Sequence, residues 1–288
     1  MFFQNTIQSS VELKGIGLHT GKEAYLAFHP APENTGIHIQ RSDLPNKPSL
    51  PVSAQHVQAT NMATTIGGDF FRVSTVEHCL SAVTALQIDN IIIEVRGPEI
   101  PVGDGSALMF WDALNSVGVQ QQSQPKEFVF IKEPFELTDG DKWVKVKPYN
   151  GLKIECTIDF EHPAIGLQKM SLDLTKESFK KEILKARTFG FLKDAEALKA
   201  AGLALGGSLD NAIIMDDEKV MNPGGLRYSD EFVRHKILDA IGDLATLGRP
   251  ILAHFEMYKS GHDLLNKLIK KILANPDLYS EVKLGEMN

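Results

Sequence analysis

One segment of the sequence places a histidine and two aspartates at a regular spacing. His235, Asp239 and Asp243 follow one another at intervals of four residues, so they would share one face of a helix, with neighbouring Cβ atoms about 5–6 Å apart. Imidazole and carboxylate groups are ordinary ligands of zinc. The same spacing occurs in simple surface pairs, but here apolar residues separate the three side chains, which favours metal binding by His235 and Asp239.

A catalytic zinc site takes three protein ligands and leaves the fourth position to water, so a further ligand must come from elsewhere in the chain. His78 is a candidate because it lies near the start of another predicted helix, among apolar residues; a histidine buried for packing alone is the alternative. Its neighbour Glu77 follows Ser74 at the spacing of a capping box, in which the glutamate bonds back to the residue that caps the helix. In the functional interpretation, Glu77 instead takes a proton from a water molecule that the metal acidifies.

A fourth candidate is His262, which stands at the first turn of the last predicted helix, where Ser260 or Gly261 could cap it. The N-terminal end of a helix lowers the pKa of a histidine, so a proton donor at this position needs a carboxylate neighbour. Asp243 is a suitable partner. The alternative is an exposed histidine at a helix start.

The elements that must position these residues fall into two groups, each with strands first and helices after. Period-two apolar patterns predict strands, and apolar residues at helical spacing predict helices. In the first half the predicted strands are 11–13, 23–28, 36–39 and 91–95, and the predicted helices are 75–86 and 107–117. In the second half the predicted strands are 127–131, 143–148 and 152–160, and the predicted helices are 176–186, 193–201, 230–247 and 263–274. This grouping indicates an α+β fold.

The segment 118–125 is polar and ends in proline, which predicts a linker. We therefore expect two domains, at 1–119 and 126–288. A chain of 288 residues is long enough for two ordinary domains, because single cores stop growing near about 250–300 residues.

Composition argues against several classes of protein. The net charge is −7, and the sequence lacks the basic face that a nucleic-acid-binding protein usually has. The segment Met1–Asn5 lacks the pattern of a signal peptide, and no apolar run is long enough to cross a membrane. Cys79 and Cys156 lie in apolar stretches without a CxxC motif, which is typical of reduced, buried thiols. We therefore expect a cytoplasmic protein.

Taken together, these fragments resemble the UDP-3-O-acyl-N-acetylglucosamine deacetylase family. The similar segments occur in order along essentially the whole chain, at 15–21, 75–78, 102–107, 186–191, 232–244 and 259–262. The longest of them, Phe-Val-Arg-His-Lys-Ile-Leu-Asp-Ala-Ile-Gly-Asp-Leu, contains the regularly spaced histidine and aspartates. One departure lies in Asn61–Thr65, where many members of the family carry a cysteine and this chain has none.

The resemblance implies a role for each matching residue. The implied ligands of one catalytic Zn²⁺ ion, for which Fe²⁺ could substitute, are His78, His235 and Asp239. The implied catalytic residues are Glu77 as general base, His262 as general acid, Asp243 as the partner of His262, and Thr188 as donor to the oxyanion. The implied substrate-binding residues are Lys236, Lys259, Phe189, Lys142, Phe160 and Leu18.

The implied reaction is hydrolysis of the N-acetyl group of UDP-3-O-acyl-N-acetylglucosamine, releasing acetate, in lipid A biosynthesis. The implied fold has two α+β domains, each a β-sheet with two helices, and the helix layers pack between the sheets. An inserted βαβ unit, matched by 192–215, would form a passage for the acyl chain. The partner would be a UDP-linked acylated amino sugar, and the enzyme a monomer. Two alternatives remain open: a zinc hydrolase of another N-acyl sugar, and a non-catalytic binding protein without metal.

Overall fold

The protein combines several β-sheets with helices, as the sequence predicted for an α+β fold. The computed structural model describes residues 2–283, so the predicted domains 1–119 and 126–288 reach beyond it at Met1 and at 284–288. The strands are β1 (Phe3–Ile7), β2 (Val11–Ile16), β3 (Glu23–Pro30), β4 (Ile37–Arg41), β5 (Ser49–Pro51), β6 (Val57–Ala59), β7 (Thr65–Gly67), β8 (Arg72–Val73), β9 (Ile91–Arg96), β10 (Val119–Pro125), β11 (Glu127–Ile131), β12 (Phe135–Asp139), β13 (Lys142–Lys147), β14 (Leu152–Phe160), β15 (Gly166–Asp173), β16 (Phe189–Phe191), β17 (Ile213–Met215), β18 (Ile251–Tyr258) and β19 (Tyr279–Lys283). The α-helices are α1 (Glu77–Ala85), α2 (Leu108–Val117), α3 (Lys176–Ser178), α4 (Leu192–Ala200), α5 (Glu231–Leu244) and α6 (His262–Ala274).

The first half of the chain forms a five-stranded sheet with α1 and α2. The strand order is β2-β3-β9-β4-β5, and β9 runs antiparallel to β3 but parallel to β4. A small sheet of β6, β7 and β8 leads into α1. The inward residues of β9, Ile91, Ile93 and Val95, are fully buried, so the central strand anchors the core of this half.

The second half forms a seven-stranded sheet around β18, which pairs with β13 on one side and β14 on the other. Helices α5 and α6 pack against this sheet. Helix α6 is amphipathic, and its buried side chains are Leu264, Leu265, Leu268, Ile269 and Ile272. All residues of α5 are buried except Arg234 and Lys236, which are partly buried. The helix that carries the regularly spaced histidine and aspartates therefore runs through the interior.

The two helix layers meet where α1 packs against α5. A methyl group at Gly242 would lie 2.0 Å from the carbonyl oxygen of Glu77, so the backbones can approach this closely only because residue 242 has no side chain. The imidazole rings of His78 and His235 stand edge to face with their centroids 4.9 Å apart. This contact brings functional candidates of both halves together.

The predicted linker at 118–125 connects the two halves, but it is a β-strand, β10, and not a loop. β10 runs antiparallel to β1. The glutamine-rich sequence suits this position because Gln122 donates to the carbonyl of Ala31 at 3.0 Å and accepts from Asn90 at 2.7 Å. Gln122 thus satisfies polar groups of two buried residues of the first half.

Residues 189–215 form a small parallel βαβ arrangement. β16 and β17 pair in parallel, and α4 follows directly after β16. The predicted helix 176–186 is a short α-helical turn that continues as a π-helical turn over Phe179–Ile183. Among residues 2–283 no helix has the length and apolar character needed to cross a membrane.

Candidate metal centre and its surroundings

The buried side chains of His78, His235 and Asp239 converge at the contact of α1 and α5. Their potential ligand atoms all lie within 4.8 Å of one another. The Oδ1 atom of Asp239 is 3.2 Å from Nε2 of His235 and 3.6 Å from Nε2 of His78. The i,i+4 spacing on α5 supplies two of these groups, and the close approach of α1 supplies the third.

The polar atoms of this cluster are arranged for a cation. Nδ1 of His235 lies 3.0 Å from the carbonyl oxygen of Ala186; a carbonyl can only accept, so Nδ1 carries the proton and Nε2 keeps its lone pair. Asp239 Oδ1 is buried without a hydrogen-bond partner. A buried carboxylate oxygen without a donor is costly, and a divalent cation among these groups would remove that cost.

Protonation states in the cluster also suit a metal, which binds neutral imidazole and ionised carboxylate. Burial lowers the pKa of His235 to about 3, so this imidazole is neutral at pH 7. Burial opposes ionisation of Asp239, but His235 and Lys236 outweigh it, and the pKa of Asp239 stays well below its ordinary value. The ammonium group of Lys236 lies 2.8 Å from the second oxygen, Oδ2, of Asp239.

Glu77 is the first residue of α1 and is almost completely buried. The capping-box alternative was wrong: the backbone N–H of Ser74 donates to Pro98, and Oε2 of Glu77 accepts from the backbone of Thr64 at 3.0 Å. The other oxygen, Oε1, lies 4.0 Å from Nε2 of His262. Burial raises the pKa of Glu77, which strengthens this carboxylate as a base.

His262 begins α6 directly after the cap residue Gly261, as the sequence predicted. Its Nδ1 lies 2.7 Å from Oδ2 of Asp243. Burial alone would lower the pKa of His262, but the charge and hydrogen bond of Asp243, together with Glu77, raise it to about 10. The imidazole therefore keeps a proton at neutral pH, on the side of the cluster where Glu77 also lies.

Thr64 is a polar residue of this site that the sequence did not reveal. Its hydroxyl donates to Oδ1 of Asp243 at 2.5 Å, and its backbone N–H donates to Glu77. One residue thus holds the carboxylate beside His262 and the carboxylate at the start of α1. The contact joins positions 179 residues apart, so no local pattern could have indicated it.

Thr188 lies two residues after Ala186, whose carbonyl contacts His235. Its backbone N–H donates to Gly105 at 2.8 Å, and its carbonyl accepts from Ile213 at 2.8 Å. These two bonds fix the backbone of Thr188 between a loop of the first half and the βαβ arrangement. Its side chain is half-buried.

Lys236 and Phe189 lie beside the cluster. The ammonium group of Lys236 stands 5.6 Å from the centroid of the Phe189 ring, and that ring is 6.3 Å from the ring of His235. The Phe160 ring packs edge to face on Phe189 at 5.8 Å. A row of aromatic side chains therefore leads away from the buried histidines.

Lys142 and Lys259 lie at the same end of the large sheet as Phe160. The Nζ atom of Lys259 is 3.2 Å from Asp141 and 3.3 Å from Asp159, the residues that precede Lys142 and Phe160 in the sequence. Lys142 is exposed and does not contact the buried cluster. The structure thus gathers Lys142, Lys259 and Phe160 at one end of the large sheet, which the row of aromatic side chains from the buried histidines reaches at Phe160.

Leu18 is half-buried against the loop that follows α4, where its carbonyl accepts from Gly206 at 3.0 Å. Three large apolar side chains of this loop and of the neighbouring strand are 41–51% exposed: Ile16, Leu205 and Leu209. Such a concentration of exposed apolar surface is typical of a binding region.

Two imidazoles and a carboxylate converge on one point, with a second carboxylate and a carboxylate-paired histidine beside them. These are residue types that metal-dependent hydrolases use. The chain belongs to the UDP-3-O-acyl N-acetylglycosamine deacetylase family, whose model matches residues 4–274. It is similar to the UDP-3-O-acyl-N-acetylglucosamine deacetylase of Bdellovibrio bacteriovorus, with 53% identity over 99% of this chain and 94% of that protein. The enzymes of the same name from Shewanella violacea and Myxococcus xanthus are 49% and 47% identical, over 98% and 97% of this chain and 93% and 89% of theirs.

Proposed function

We propose that the protein hydrolyses the N-acetyl group of UDP-3-O-acyl-N-acetylglucosamine, releasing acetate, as a step of lipid A biosynthesis. The observation that carries the proposal is the convergence of His78, His235 and Asp239 beside the neighbouring pair Glu77 and His262. Relatives that carry this activity in their names match nearly the whole chain, which supports the choice of substrate.

We propose that His78, His235 and Asp239 hold one divalent ion, with zinc as the first choice and Fe²⁺ as a substitute for the same nitrogen and oxygen ligands. When bound, such an ion acidifies water and polarises a carbonyl group. The Ala186 carbonyl keeps the His235 ring in place through Nδ1, and Lys236 restrains the Asp239 carboxylate. Partners of this kind fix the orientation of ligand side chains.

Glu77 and His262 then move the protons of the hydrolysis. Glu77 takes a proton from the attacking water, whose oxygen bonds to the acetamide carbon. His262 donates its proton to the nitrogen as the carbon–nitrogen bond breaks, so the amine leaves neutral together with acetic acid. The acid then loses its proton to water as acetate, and the proton held by Glu77 returns to His262. Asp243 keeps His262 protonated and oriented. The Thr188 hydroxyl would donate a hydrogen bond to the negative charge that develops on the carbonyl oxygen.

The candidate residues outside the cluster would each bind a different part of the substrate. Lys236 and Phe189 adjoin the reacting centre and would contact the sugar. Lys259, Lys142 and Phe160 lie together at one end of the large sheet. Their two ammonium groups would suit a diphosphate, and the aromatic ring would suit uracil. Leu18 and the exposed leucines near it would receive the acyl chain.

The proposal is tested with purified protein and two substrates, UDP-3-O-acyl-N-acetylglucosamine and UDP-N-acetylglucosamine. Acetate release from the acylated substrate, its loss on chelation and its return with zinc are the expected results. The substrate without the acyl chain should react with a much lower kcat/KM. Equal rates on both substrates would contradict acyl-chain recognition and favour another N-acyl sugar. No acetate release in the presence of zinc would contradict the proposed hydrolase function.

A further inference from the structure

Glu231 is a fully buried carboxylate in the first turn of α5, one helical turn before His235. Its Oε1 accepts from the backbone N–H of Arg187 at 3.0 Å and from Nε of the same arginine at 2.8 Å. Its Oε2 accepts from Nη2 of Arg187 at 3.1 Å and from the backbone of Arg227 at 2.5 Å. The carboxylate therefore holds Arg187 by main chain and side chain together.

Arg187 stands between two residues of the candidate site. The carbonyl of Ala186 on one side accepts from Nδ1 of His235. Thr188 on the other side is fixed through Gly105 and Ile213. The position of Arg187 relative to α5 thus determines where both neighbours lie relative to the helix that carries His235 and Asp239.

The network continues into the first half of the molecule. Nη1 of Arg227 lies 2.7 Å from Oδ2 of Asp104 and donates to the carbonyl of Lys185 at 3.0 Å. Asp104 precedes Gly105, whose carbonyl receives the backbone N–H of Thr188. The chain of contacts from Asp104 to Glu231 therefore ties a loop of the first half to the start of α5 through the segment 185–188.

We propose that Glu231 is a positioning residue that acts through Arg187. It holds the Ala186 carbonyl where it orients His235 as a metal ligand, and it holds Thr188 where its hydroxyl faces the reacting carbonyl. This inference rests on the proposed function. A buried ion pair can also serve stability alone, so the test must include quantities that a purely stabilising pair would leave unchanged.

The test compares Glu231→Gln with the wild type. Glutamine keeps the shape of the side chain, but its NH₂ group replaces one carboxylate oxygen and cannot accept from the N–H groups of Arg187 or Arg227 that this oxygen faces. Changes to groups that orient metal ligands typically cost about 10–100-fold in metal affinity or activity. We therefore expect the zinc dissociation constant to rise and kcat to fall, each about 10-fold or more, with a smaller change in KM. We also expect the visible absorption spectrum of the cobalt(II)-substituted protein to change, because it reports the geometry of the ligands.

The matched control is Asp89→Asn, which weakens a largely buried ion pair, 2.9 Å between Asp89 and Lys126, near the C-terminal end of α1. It should lower the free energy of unfolding but leave zinc affinity, kcat and the cobalt spectrum unchanged. If Glu231→Gln behaves like this control, the inference is overturned. If wild-type protein binds no metal or releases no acetate, the proposed function fails instead.

A milder variant keeps the test decisive if Glu231→Gln does not fold. Arg187→Lys keeps the positive charge but cannot present the arginine fork to both carboxylate oxygens. We expect the same three changes, smaller in size. Wild-type zinc affinity and cobalt spectrum in folded Arg187→Lys would overturn the inference. In the double variant, the second substitution should add little to the first, because both remove one interaction.

Discussion

At the scale of single residues, the surroundings of Glu77 and His262 shift the pKa values of the two groups to suit two different proton-transfer roles. Burial raises the pKa of Glu77, which makes the carboxylate a stronger base. It would also strip the proton from His262, but Asp243 outweighs burial and raises the pKa of that imidazole to about 10. Two titratable groups with Oε1 and Nε2 4.0 Å apart therefore suit the two complementary roles of a general base and a general acid.

Glu77→Gln tests the role of the base. The amide keeps the size of the side chain, and its carbonyl oxygen can still accept from Thr64, but it cannot take a proton. We expect kcat to fall by about 10²-fold or more, the usual size of general-base effects, while zinc remains bound. Steady-state kinetics and elemental analysis of the same preparation measure both quantities. Wild-type turnover would exclude Glu77 as the base.

Asp243→Asn tests the pairing with His262. A proton donor works only while protonated, so activity falls as the pH rises through its pKa. Asp243 raises that pKa to about 10 in concert with Glu77, and its removal should lower it. We expect the alkaline limb of the pH profile of kcat to move to lower pH, with a reduced maximum. An unchanged alkaline limb would show that another group sets it.

The sequence indicated which residues belong to this site better than it indicated which groups they contact. His235, Asp239 and Asp243 could be grouped because helical spacing places them on one face. The roles of Thr64 and of the Ala186 carbonyl could not be predicted, because each acts across a long separation in the chain and one of them acts through its backbone. Such contacts depend on how elements pack, and local patterns carry no information about that.

At the scale of elements, the site depends on the close packing of α1 and α5. The sequence predicted both helices to within a few residues. A 3-10 turn over Ala245–Leu247 continues α5, and Gly248 ends that turn in the left-handed conformation, with φ at 82°, as expected for a helix-terminating glycine. The family resemblance implied that the two helices meet, but local patterns did not indicate that their close approach requires the missing side chain at Gly242. These patterns also failed to indicate that β10 is a strand, because polar residues that satisfy buried groups resemble a linker in sequence.

Gly242→Ala tests that packing. Alanine should favour the helix by up to about 1 kcal/mol, but its methyl group would lie 2.0 Å from the Glu77 carbonyl, and relieving such overpacking typically costs about 1–3 kcal/mol. We expect a net loss in the free energy of unfolding and lower kcat, because α1 carries Glu77 and His78. Chemical denaturation and kinetics measure both.

Gly224→Ala is the matched control for this substitution. A methyl group at Gly224 would meet no atom within 4 Å, so stability should change by less than about 0.5 kcal/mol and kcat should be unaffected. Equal effects of the two substitutions would contradict the importance of the contact between the helices.

At the scale of the whole molecule, the proposed ion would join the two halves, because His78 belongs to the first and His235 and Asp239 to the second. A ligand that binds only the folded state stabilises it by about 4 kcal/mol at a concentration about 1,000 times its Kd. We therefore expect chelation to lower Tm by about 5–10 °C and zinc to restore it. His235→Ala should show no such response; a Tm that still depends on zinc in that variant would place the ion elsewhere.

The central claim is that three side chains from distant parts of the chain hold one metal ion. Anomalous diffraction at the zinc absorption edge, from crystals of the zinc-loaded protein, tests it most directly. We predict one anomalous peak, about 2.0–2.2 Å from an imidazole nitrogen of His78, an imidazole nitrogen of His235 and a carboxylate oxygen of Asp239. Zinc bound only by other residues, or no peak between these three side chains, would contradict the claim.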